Sequence, residues 1–189
     1  TWIDPETDFT PLVQRCADQG WILELPDDIK GQWQWFSARD VQRRMAIEEA
    51  WSDPTLDGVI YVGGGWGAAR VLEAGLKFPP RPFWTLGFSD SSALLLAQWQ
   101  AGLLGAVHGA FWGPDDQWER TVDLLSGRPT RPLQGQGRRG GSAQGPLVVT
   151  NLTVATHLIG TRWFPSLKGA VLVLEDVGEV KVILELGSW

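Results

Sequence analysis

Reactive side chains are scarce in this chain of 189 residues, which holds two histidines, one cysteine, one tyrosine and one methionine. The lone Cys16 excludes an internal disulfide framework and fits a reducing compartment. So few histidine and cysteine ligands make a zinc site unconvincing, and neither a metal nor a cofactor is expected. Basic residues are also in deficit, 16 Lys and Arg against 22 Asp and Glu, for a net charge of -6. That balance argues against nucleic acid or an anionic membrane as the main partner. No apolar run approaches the roughly 20 residues that cross a bilayer. Thr1-Trp2-Ile3-Asp4 has neither the basic start nor the apolar core of a secretory signal. A cytoplasmic location is the expectation. Hydrophobic residues at 43% and charged residues at 20% are ordinary for a soluble globular protein. Twelve tryptophans are unusual, and nothing in the sequence explains them.

What is present reads as alternating helices and strands. Thr10-Pro11 opens a helix with Leu12, Val13 and Cys16 on its apolar stripe, closed by Gly20. Trp21 to Leu25, WILEL, is a plausible strand stopped by Pro26. Gln32 to Phe36 is either a loop with exposed aromatics or a short extended piece. Ser37 and Asp40 have capping-box spacing for a helix running to Trp51, with Val41, Met45, Ile47, Ala50 and Trp51 expected in the core. Gly58 to Val62, GVIYV, has the β-branched, apolar character of a buried parallel strand. The turn Gly63-Gly64-Gly65-Trp66-Gly67 follows, then the helix AARVLEAG. Such a turn can cradle a phosphate, form an oxyanion hole, or simply reverse the chain.

Phe83 to Leu86 is a second strand, and Gly87-Phe88-Ser89-Asp90 a sharp turn into a helix centred on Leu94, Leu95 and Leu96. A serine between strand and helix has its hydroxyl lifted clear of both, beside the free N–H groups that begin the helix. Ser89 therefore has two readings, a nucleophile or a helix cap. Gly105 to His108 reads as a third strand and Asp115 to Leu125 as a helix. Residues 127–145 are rich in glycine, proline and arginine and read as a linker. Beyond it, Asn151 to Leu158 reads as a helix, in which His157 is expected to pack, and Ala170 to Leu174 as a buried strand. The fold class is α/β, with a mainly parallel sheet flanked by helices over residues 1–126 and the beginning of a second, incomplete α/β domain over 146–189.

Three blocks in matching order and spacing, GGGWGAARVLE (63–73), LGFSDSSALLLA (86–97) and GPLVVTNLTVATHLIGT…LKGAVLVLEDVGE (145–179), together with His108-Gly109, resemble the LD-carboxypeptidases of serine peptidase family S66. The resemblance implies hydrolases that release the terminal D-alanine of murein tetrapeptide in peptidoglycan recycling, with relatives that inactivate peptide-nucleotide antibiotics of the microcin C type. It implies a Ser–Glu–His triad without metal. The serine falls on Ser89 and the acid on Glu175, with oxyanion N–H groups at Gly65 and Asp90 and substrate contacts at Gly64, Trp66 and His108. His108 matches a family histidine that is not the triad base. Where relatives tend to have an arginine, this chain has Gly63. The family's triad histidine lies well after LEDVGE, so this chain, ending at Trp189, is expected to lack it, to be cut at both ends and to be marginally stable. A peptide substrate and a second copy in a homodimer are the partners implied. A non-catalytic binding remnant, or a nucleotide-binding domain using Gly63 to Gly67, are the competing readings.

Overall fold

A computed structural model describes residues 2–177. Three short strands, β1 (Gly58–Ile60), β2 (Trp84–Gly87) and β3 (Ala106–His108), lie parallel in the order β1-β2-β3. Ile60 pairs with Leu86, and Leu86 with Val107. The helices are α1 (Thr10–Ala17), α2 (Asp40–Ser52), α3 (Ala68–Glu73), α4 (Ser92–Gln100), α5 (Asp115–Leu125) and α6 (Leu152–Leu158). A second parallel pair, β4 (Leu147–Asn151) and β5 (Val171–Glu175), follows the linker region. The protein is α/β, with parallel sheets flanked by helices.

Both faces of the three-stranded sheet are covered, as parallel sheets require. Period-two alternation sends Val59 to one layer and Ile60 to the other. On the first side Trp51 of α2, Ala68, Val71 and Leu72 of α3, and Ala93, Leu94, Leu96 and Ala97 of α4 form one core. Helix α4 is buried from Ser92 through Gln98, so it is apolar all round rather than striped. Gln98 is its one long polar member there, and its Nε2 donates to the carbonyls of Phe83 and Leu104, tying the helix to the chain before β2 and β3. On the other side Phe9, Leu12 and Cys16 meet Leu86, Val107, Phe111, Trp118 and Val122. The first core continues into Val148, Ala155 and Leu158, so β4 and α6 pack against the α4 layer.

Five local expectations are corrected, the first being that β5, expected as a buried strand, leaves Leu172 and Leu174 exposed because β4 is its one partner among the described residues. Residues 21–24 alternate inward and outward like a strand, with Trp21 and Leu23 packed and Ile22 exposed, but Leu25 is exposed too and among the described residues no neighbouring strand takes up the ladder bonds of 21–25. Helix α2 buries only Trp51 fully; Val41 and Met45 are exposed, because only one edge of the helix meets the core. Its first turn is closed not by Ser37 but by Gln42, whose side chain accepts the Arg39 N–H at 3.2 Å. His157 is exposed on α6 rather than packed.

Candidate active site

Strand β2 ends at Gly87, where a side chain would collide with that of Ser91. Phe88 is still extended (φ -149°), and Ser89 then turns left-handed at φ +52° before a single 3-10 turn, Ser89–Ser91, leads into α4. A β-carbon-bearing residue in that region is strained by about 1–3 kcal/mol, and such strain concentrates at functional sites. Serine has no local need for it. The turn is braced by Ser91, whose N–H and hydroxyl both donate to the Phe88 carbonyl, at 3.1 and 2.7 Å.

The glycine turn after β1 lies directly against this serine. A β-carbon on Gly64 would stand 3.0 Å from Ser89 Cβ and 3.1 Å from its Oγ, so glycine is what permits the approach. Gly65 and Gly67 both have positive φ, +105° and +107°. Trp66 is 75% exposed at the rim. The preceding Val62 carbonyl accepts the Trp112 indole N–H at 3.2 Å, which anchors the entry to the turn. Asp90, the residue after Ser89, reaches back with Oδ2 to accept the Ala68 N–H at 2.9 Å, at the start of α3. Burial pushes the Asp90 carboxyl above the usual carboxylate range, and the N–H groups of Ala68 and Gly67 oppose that shift.

His108 ends β3, one strand over from Gly87, with which it is in register. Its side chain is 10% exposed, and its Nε2 is 3.4 Å from Oε1 of Glu175, the last residue of β5. That contact is close, but the N–H direction falls short of a well-formed hydrogen bond. Burial lowers the His108 pKa, while the Glu175 charge pulls it back up. Glu175 is in register with Asn151. Asn151 caps α6 through its side chain, which accepts the Val154 N–H at 3.0 Å, and its own N–H donates to Ser92 Oγ at 3.2 Å. Thr153 donates to Asp176 at 2.8 Å and is the chief reason that carboxyl titrates below the usual range.

Ser89, Gly64, Gly65, Trp66 and Asp90 are thus contiguous, and His108 joins the carboxyl end of β3 to Glu175. The His108–Glu175 contact and the Asp90–Ala68 bond escaped the sequence. The only hint was that Asp90, His108 and Glu175 stand at or just after a strand's carboxyl end, where open α/β sheets place ligands. Among the described residues no histidine hydrogen-bonds to Ser89, and no cluster of three or more His, Cys, Asp and Glu stands ready to hold a metal. Among the described residues no helix is long and apolar enough to cross a membrane either.

A hydroxyl on a strained strand-to-helix turn, with a glycine turn packed against it, is the strand–turn–helix layout of an α/β protein. The chain belongs to the LD-carboxypeptidase family: the model of that family's N-terminal domain matches residues 3–109 and that of its C-terminal domain residues 144–185. The murein tetrapeptide carboxypeptidase of Pseudomonas aeruginosa is 30% identical, over 94% of this chain and 64% of its own length. A Synechocystis sp. protein is 39% identical over 77% of this chain and 50% of its own. The chain therefore spans about half to two thirds the length of these relatives. The solved muramoyltetrapeptide carboxypeptidase of Oxalobacter formigenes superposes with a TM-score of 0.77 at 21% identity, covering 98% of this chain and 68% of that one. The microcin C7 self immunity protein gives 0.71 at 19% identity, covering 94% and 66%. These two likenesses speak to the fold.

Proposed function

We propose that this chain carries the nucleophile half of a serine-type LD-carboxypeptidase that releases the terminal D-alanine of murein tetrapeptide in cytoplasmic peptidoglycan recycling. The observation that carries this reading is Ser89 held at φ +52° with its hydroxyl against the glycine turn. Ser89 Oγ attacks the carbonyl before the terminal D-alanine and gives up its proton to a base. The carbonyl electron pair moves onto oxygen, where the N–H groups of Gly65 and Asp90 receive it. Donors of this kind are worth about 2.7–4 kcal/mol each in comparable sites. Collapse expels D-alanine, whose amine takes the proton from the base, and water then resolves the acyl-enzyme. Glu175 orients and stabilises the base, which in the family is a histidine C-terminal to the Glu175 position, a place that neither His108 nor His157 occupies. Gly64 and Trp66 border the substrate, with His108 beside the acid.

The test is D-alanine release from murein tetrapeptide by this chain and by a version extended at its C-terminus, with Ser89→Ala as control. Release by the extended version alone, abolished by Ser89→Ala, is the expected result. No release from either, or release that survives Ser89→Ala, overturns the reading. The same preparations assayed on a peptide-nucleotide antibiotic separate the two substrate classes.

A further inference from the structure

Two segments far apart in the chain must keep a fixed relation for the proposed chemistry, the Ser89 turn and the glycine turn. Two contacts join them directly, and a third buttresses the glycine turn from outside. Gly64 lies against Ser89 Cβ and Oγ, but that is a packing contact and does not set the rotation of the turn about it. From outside, the space where a Gly67 side chain would sit is filled by the ring of Phe36 and the guanidinium of Arg43. Arg43 stacks on Phe36 at 4.8 Å and is itself fixed by Asp40, at 2.6 Å. From inside, the directional bond is the 2.9 Å acceptance of the Ala68 N–H by Asp90 Oδ2.

Ala68 is the first residue of α3, and its N–H is one of the donors that a helix start leaves without a partner inside the helix. Gly67, the residue before it, has no side chain with which to cap. The acceptor therefore comes from another element, and from the residue joined by one peptide bond to Ser89. A half-buried carboxylate is an expensive choice for a mere cap, since an exposed serine or asparagine at the start of the helix does the same work.

We propose that the Asp90 carboxylate is a positioning residue of the acyl-transfer site, latching the 63–67 glycine turn to the nucleophile turn through the Ala68 N–H. This rests on the reading of Ser89 as nucleophile but goes beyond it, because that reading assigns a role only to the Asp90 backbone N–H. With the latch closed, the N–H groups of the glycine turn face the point where the oxyanion forms. With it open, the turn pivots about Gly67 and the donors lose aim, and a misplacement of about 1 Å at such a site costs about 100-fold in rate.

Two variants and two readouts test it in the C-terminally extended protein. Asp90→Ala removes the acceptor, whereas Asp90→Asn keeps one acceptor oxygen. Amide hydrogen exchange at Ala68 is expected to accelerate at least about tenfold in Asp90→Ala and to return toward the native rate in Asp90→Asn. On murein tetrapeptide, kcat is expected to fall about 100-fold in Asp90→Ala with KM within about threefold, and Asp90→Asn to recover at least tenfold of that loss. Unchanged exchange at Ala68 in Asp90→Ala overturns the latch whatever the activity. Accelerated exchange with undiminished kcat overturns the positioning role. If the native protein releases no D-alanine, the proposed function fails separately, and the exchange comparison still decides whether the latch exists.

Discussion

Ser89 carries backbone strain that no packing requirement of its own explains, and that strain has a measurable consequence. Replacement by glycine, which enters the left-handed region freely, is expected to raise unfolding free energy by about 1 kcal/mol in a urea titration while abolishing turnover. Ser89→Ala is expected to abolish turnover of the C-terminally extended protein without the stability gain, because alanine keeps the β-carbon. His108 makes a second prediction, in pH. Burial depresses its folded pKa, so in the window between that lowered value and the ordinary value of about 6.5 the unfolded chain binds the proton that the folded chain does not. Stability from this group is present above about pH 6.5 and is lost as pH falls through the window. Glu175, at 3.4 Å, narrows that window without closing it. Urea midpoints at pH 7.5 and 5.5 should therefore differ more for the native chain than for His108→Gln; equal differences would refute the assignment.

Helices α2 and α4 show what apolar residues do in two settings. In α4 burial is continuous, and Leu94→Ala is expected to cost about 2–5 kcal/mol, the range for a leucine cavity that only partly collapses. In α2, Val41 and Met45 face solvent, and Met45→Lys should shift stability by no more than about 0.5 kcal/mol. A comparable loss in both variants, read by thermal or urea unfolding, would mean that α2 is buried as its sequence suggests. The α2 pattern misleads because helical spacing shows which residues share a face, while the neighbour that covers the face is supplied by the rest of the chain. The segment 21–25 is a related case. Its alternation survives in the burial of Trp21 and Leu23, but a strand also needs ladder partners, which its own residues cannot provide.

Across the whole molecule, one core runs from Trp51 through α4 to Val148, Ala155 and Leu158, so the β4–β5 pair is bound to the first sheet through helices rather than through strand pairing. The outer residues of β5 are less well served: Leu172 and Leu174 are 42% and 47% exposed. An apolar edge of this kind binds hydrophobic dyes and invites association. Leu172→Lys with Leu174→Lys is expected to lower dye fluorescence of this chain while leaving the urea midpoint nearly unchanged. A collapse of the midpoint would place those side chains in a core. The alternation of strands and helices, the glycine turn, the Ser89 turn and the strand ending at Glu175 were all legible in the sequence, because each depends on period and turn chemistry within a few residues. Tertiary structure alone decided three things. It set the left-handed backbone of Ser89, brought His108 within reach of Glu175, and closed the bond from Asp90 to Ala68. Each of these joins segments distant in the chain or stores strain that only surrounding packing can hold, and no local pattern encodes either.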